Sequence, residues 1–129
     1  MNTQAQDVYA KTQVATASPG DLTLMLFNGY LKFAKQALNG MQLRQYEQKN
    51  YNIKRAQDII DELLCTLNMQ YEISRNLSAL YHFISEKMVE ANVKMNQQSL
   101  HDCIELMTEL RDAWAEALKK VKRNGKLTG

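Results

Sequence analysis

From Ile53 to Val121 the apolar residues return every three or four positions, and no proline interrupts them; the chain's only proline is Pro19. That spacing marks one face of an α-helix and is incompatible with strands, whose faces alternate every second residue. Ile53, Ala56, Ile59, Ile60, Leu63, Leu64 and Leu67 share an arc of about 140°, with Lys54, Arg55, Asp58, Asp61 and Glu62 opposite. Ile73, Leu77, Leu80, Tyr81, Phe83, Ile84, Met88, Ala91 and Met95 share about 160°. Leu100, Cys103, Ile104, Met107, Leu110, Trp114, Leu118 and Val121 form a third stripe. One proline and five glycines in 129 residues leave too little turn chemistry for a sandwich or barrel.

Punctuation divides the chain. Ser18-Pro19-Gly20-Asp21 combines an N-cap, a proline at the first helical position and a capping acid. The first helix is expected over 19–41, ending near Asn39-Gly40. A second is expected over 44–67 and a third over 71–94. A fourth, capped by Asn96, is expected over 97–122, with a frayed basic tail at 123–129. Helices of about 20–25 residues span roughly 30–38 Å, and short links make them antiparallel neighbours. The expected fold is all-α: an antiparallel up-down-up-down four-helix bundle over 18–122, preceded by a mobile N-terminal capping arm or short helix over 1–17. That arm offers only Val8, Tyr9 and Val14 as sizeable apolar groups after Met1, too few for a core of its own.

The first helix carries a surplus. Leu22, Leu26, Tyr30, Phe33 and Ala37 make one stripe; Leu24, Phe27, Leu31, Ala34 and Leu38 make a second beside it. Together they cover about 200°, more than a bundle helix needs. Two readings fit. The helix is deeply buried with the arm folded over it, or the second stripe is a docking groove for a partner's amphipathic helix. Tyr51, Val89 and Val93 also lie off their core faces.

Catalytic and metal signatures are missing. The net charge is +2, from 16 basic and 14 acidic residues, without the basic excess of a nucleic-acid binder. Gly20, Gly29 and Gly40 are too scattered for a phosphate loop. Asp58/Glu62 and Glu86/Glu90 are acid pairs at helical spacing without the histidine of an inward carboxylate–metal site. His82 is expected on an exposed face, as in four-helix phosphotransfer domains. However, no Lys-Gly follows it, and Glu86 would repel a phosphoryl group. His101 is expected at the surface. Cys65 and Cys103 sit on apolar stripes and are expected as reduced core residues. No apolar run reaches the roughly 18 residues of a membrane span, and the N-terminus lacks a signal-peptide pattern. A cytoplasmic, non-enzymatic protein without metal, cofactor, nucleic-acid partner or membrane insertion is expected.

Several segments are similar to one family. They are Thr16-Ala17-Ser18-Pro19-Gly20-Asp21-Leu22-Thr23-Leu24-Met25-Leu26-Phe27-Asn28-Gly29, Leu31-Lys32-Phe33, Lys54-Arg55-Ala56-Gln57-Asp58-Ile59-Ile60, Asn76-Leu77-Ser78-Ala79-Leu80-Tyr81, Val89-Glu90-Ala91-Asn92-Val93-Lys94 and Leu110-Arg111-Asp112-Ala113-Trp114. In this order, over roughly residues 8 to 121, the chain resembles the flagellar secretion chaperones of the FliS family. It departs from them at Tyr81-His82-Phe83-Ile84-Ser85-Glu86-Lys87, where family members often carry a Tyr-Asp-Tyr-Met-like run with a basic pair.

The resemblance implies a non-enzymatic bundle that binds the disordered C-terminal segment of flagellin one-to-one. It implies that binding blocks premature polymerisation and that the complex goes to a membrane protein of the flagellar type III export gate. The candidate client contacts are then Val8, Tyr9, Val14, Leu24, Phe27, Leu31, Leu38, Tyr51, Val89 and Val93, with Tyr9 and Val8 as plugs that the client displaces. A generic helical adaptor, or a homodimer through the first helix, is the alternative.

Overall fold

Ser18 is extended (φ −67°, ψ 161°), and its Oγ accepts the Asp21 N–H at 3.1 Å while the hydroxyl donates to Asp21 Oδ2 at 2.7 Å. With Pro19 next, this cap starts a helix where the sequence asks for one. The computed structural model describes residues 18–128. It contains α1 (Pro19–Gln42), α2 (Tyr46–Cys65), α3 (Glu72–Lys94) and α4 (Gln97–Thr128), with no strand among the described residues. Each helix packs on the next and α4 closes onto α1, giving the expected antiparallel four-helix bundle. Val8, Tyr9 and Val14 lie outside the described residues.

Two links turn by the same device. Gln45 N–H donates to Gly40 O at 2.8 Å and Arg44 N–H to Met41 O at 3.3 Å, with Arg44 left-handed at φ 57°. Asn96 N–H donates to Ala91 O at 2.9 Å and Met95 N–H to Asn92 O at 3.4 Å, with Met95 at φ 51°. Both are Schellman motifs built without the usual glycine. Asn96 then caps α4 by accepting the Ser99 N–H at 3.1 Å. Beyond the expected stop at 122, α4 continues to Thr128. No proline ends it, and Lys119, Lys120, Lys122 and Arg123 suit a helix C-terminus.

Small residues bring α1 and α2 together. A Cβ on Gly29 would lie 3.1 Å from Ile59 Cδ1, and one on Gly40 would lie 3.1 Å from the Lys49 N, Cα and Cβ. Gly40 therefore does not end α1; it lets α2 cross close to it. Ala34, Ala37 and Ala56 are fully buried. On the other flank, Gly20 faces Leu118 of α4. Between them sit the large core side chains Phe27, Tyr30, Ile60, Leu63, Tyr81, Ile84, Met88 and Leu100. The Tyr30 hydroxyl is satisfied by donating to Met88 Sδ at 3.1 Å.

This packing decides between the two readings of α1 and corrects two expectations. α1 has no exposed large apolar side chain, which agrees with the deeply buried reading, with Leu24 and Leu38 left half-buried. Phe27 is 1% and Leu31 3% exposed, so both side chains belong to the core, and only Phe27 reaches the floor of a surface groove. Cys103 is buried as expected, but Cys65, the last residue of α2, is exposed, turned away from the core on which its neighbours Leu64 and Leu67 still pack.

In urea melts, Gly40→Ala is expected to lower stability by about 1–2 kcal/mol, the clash with the α2 backbone outweighing a helix-propensity gain of about 1 kcal/mol. Arg44→Gly is expected to raise it by about 0.5–1 kcal/mol, because glycine takes the left-handed conformation without steric cost.

Candidate functional site

The apolar surface missing from α1 appears on α3 and beside it. At its N-terminal half, α3 faces the C-terminal half of α4 across a groove of about 200 Å³ lined by Phe27, Ile73, Leu77, Leu110, Ala113, Trp114 and Ala117. Phe27 reaches this floor from α1. Its ring packs edge-on against Trp114 with centroids 6.0 Å apart, and tilted against Tyr81 at 6.4 Å. Ile73 forms one rim and is 64% exposed. Ala113 and Ala117, exposed one turn apart on α4, form the other. Short side chains here allow a visiting backbone to come close. Tyr71 before α3 and Val121 one turn after Ala117 are also exposed, so the apolar surface continues past the groove.

The groove is braced from α1. The Trp114 indole N–H donates to Gly20 O at 2.9 Å, and Lys122 Nζ lies 2.7 Å from Asp21 Oδ1. The Lys122 ammonium, with the Ser18 hydroxyl second, holds the Asp21 carboxyl below its ordinary 3.8. The site therefore abuts the start of α1, where residues 1–17 join the bundle. A larger concavity of about 520 Å³ on α4 is lined by Asp112, Ala115, Glu116, Lys119, Lys120 and Arg123. Among the described residues it offers no aromatic or branched apolar side chain to hold a ligand away from water.

No group is poised for chemistry in the groove. Burial pushes the Tyr81 hydroxyl up to about 12 and the Cys103 thiol up to about 11, and it raises Tyr30 as well. All three stay protonated at neutral pH. His82 is exposed on the outer face of α3, as expected. Among the described residues, His101, Asp102 and Glu105 alone have metal-like spacing. Asp102 is already engaged by Gln98 at 2.9 Å and Lys87 at 3.2 Å.

The predicted contacts scatter. Leu24 and Leu38 are half-buried on α1. Tyr51 is 62% exposed on α2, one turn before Arg55, whose guanidinium lies over Phe33 of α1 at 5.3 Å. Val89 and Val93 are exposed on the outer face of α3, Val93 at 77%. The structure does not join these into one site; of the predicted residues among those described, only Phe27 lines the groove. Sequence reading missed Ile73, Leu77, Leu110, Ala113, Trp114 and Ala117. The available signal was Ala113 and Ala117, which widen α4's apolar arc next to Trp114.

The family described as "Flagellar protein FliS" matches residues 1–121. This chain belongs to the FliS family. It is 39% identical over 116 residues to the flagellar secretion chaperone FliS of Bacillus subtilis, covering 90% of this chain and 87% of the relative. The FliS of Vibrio cholerae is 33% identical over 109 residues, covering 83% and 80%. That of Campylobacter jejuni is 31% identical over 117 residues, covering 89% and 91%. These relatives are named as chaperones of secretion, in keeping with a FliS-family surface that offers an apolar groove. No helix among the described residues is long and apolar enough to cross a membrane.

The depressed Asp21 carboxyl sets a pH signature. Its contribution is present above its ordinary value and is lost as pH falls through the lowered folded-state value. Lys122→Met is thus expected to be less stable than the parent in urea at pH 7. The gap is expected to close below about pH 4 as Asp21 takes a proton; a gap that persists in acid excludes this account.

Proposed function

We propose that the chain is a flagellar export chaperone whose α3/α4 groove receives the C-terminal segment of flagellin as an amphipathic helix, one client per chaperone. The observation that carries the reading is the groove itself. Phe27 and Trp114 floor it, Ile73 and two exposed alanines rim it, and almost nothing polar interrupts it. A client that folds on binding buries roughly 1,000–3,000 Å² and gives up several kcal/mol to ordering. The groove is too small to supply that alone, so the contact extends along exposed Tyr71, Val121, Val89 and Val93. Leu24, Leu38 and Tyr51 remain secondary candidates. Leu31 is withdrawn, since a charge there breaks the core. Covering the client's segment keeps it from polymerising in the cytosol, and the loaded complex goes on to a membrane protein of the export gate.

The arm competes with the client. Tyr9 stands nine residues before Ser18, and nine extended residues reach roughly 30 Å. The groove beside Gly20 is well within that range. Affinity is then the client's contacts minus the arm's, with no nucleotide required.

Ala113→Glu and Ala117→Glu are expected to weaken flagellin binding at least roughly tenfold by titration calorimetry. Both side chains are exposed, so the melting temperature is expected to stay nearly unchanged. Flagellin lacking its C-terminal segment is expected to escape capture altogether. Unchanged affinity in both glutamate variants refutes the groove as the site. Separately, Tyr9→Ala is expected to change client affinity more than thermal stability. A purely stability effect makes Tyr9 a packing residue instead.

A further inference from the structure

Lys49 is 6% exposed, yet no carboxylate among the described residues pairs with it. Its ammonium donates to Asn92 Oδ1 at 2.8 Å and Met95 Sδ at 3.4 Å and lies 5.9 Å from the Tyr46 ring centroid. Two of its three donors thus go to neutral acceptors, and the charge is left without a counter-charge. Burying such a cation is costly, and the nearby C-terminus of α3 offsets only part of it. An apolar side chain of similar length would pack over Gly40 without that cost. The retained charge therefore calls for an anion.

The surroundings define the anion's carrier. Tyr46 and Met95, which flank the ammonium, are 52% and 38% exposed, and Leu43 beside them is exposed too. Arg44 and Lys94 add positive charge, against the acid Glu47 and the Glu90 that pairs with Lys94. An aromatic ring and a thioether beside one buried cation, with an exposed leucine in the adjoining link, fit an acidic residue set between apolar ones. We propose that this end of the bundle is a second docking surface, built around Lys49, for a partner protein's peptide segment with an acidic side chain flanked by apolar residues. The links that carry it lie at the opposite end of the helices from the Gly20–Trp114 contact. Occupancy there and in the α3/α4 groove itself is therefore compatible, although the proposed extension of the client onto Val93 would adjoin Asn92 and Met95; neither proposal depends on the other.

The test uses the full chain, isotopically labelled, titrated with the peptide acetyl-Phe-Asp-Leu-Phe-amide and with its Asn analogue, followed by NMR. The expected result is shift changes centred on Tyr46, Lys49, Asn92 and Met95, with the Asn analogue at least roughly tenfold weaker. Lys49→Met, which removes a buried charge while keeping the packing, is expected to lose that preference without losing thermal stability. Tyr46→Ala, at an exposed position, is expected to weaken binding in a folded chain even if the Lys49 variant does not fold. Equal binding of the two peptides, shifts centred on the α3/α4 groove, or no shifts with either peptide overturns the proposal.

Discussion

The close approach of α1 to α2 governs the rest of the molecule. Glycine at 29 and 40, and alanine at 34, 37 and 56, leave α2 packed almost against the backbone of α1. Once α2 sits that near and α4 holds the opposite flank, most of the wide apolar arc of α1 is covered, and residues such as Leu24 and Leu38 stay only half-buried. α3 is left to complete the ring with a narrower contact, and it keeps exposed apolar side chains at both ends. Exposed apolar surface therefore appears on the helix held least tightly.

The groove follows from that arrangement and from two local braces. Trp114 is held by the Gly20 carbonyl and packs edge-on against Phe27, so the floor is braced and apolar. Lys122 fixes the start of α1 through Asp21. For the proposed client, a preformed floor confines the ordering cost to the client's own chain. The alanine rim keeps the groove open without offering polar competition.

Much of the fold was legible. Ser18 and Asn96 cap helices as their chemistry predicts, and most of the three stripes from Ile53 onward lies inside, but Ile73, Phe83, Met95 and Val121, drawn on those stripes, are exposed near helix ends or on the outer face. The site was less so. A helical wheel shows that α1 is apolar over a wide arc, but not how many neighbours share that arc. Phe27 and Leu31 therefore read equally well as core or as docking surface. Ile73 and Leu77 sit on α3's core stripe, and only the gap between α3 and α4 turns them toward a groove. Gly40 looked like a stop because glycine often follows a helix. Its contact with Lys49, distant in the wheel, gives it a different task.

Periodicity, capping residues and the near absence of proline determined by themselves that this chain makes four long antiparallel helices, because those signals are local and repeat with the backbone's own geometry. Which apolar surface stays in contact with water was decided only in three dimensions. It depends on the distances at which the helices settle, and those distances depend on small side chains meeting across the bundle from positions far apart in the chain.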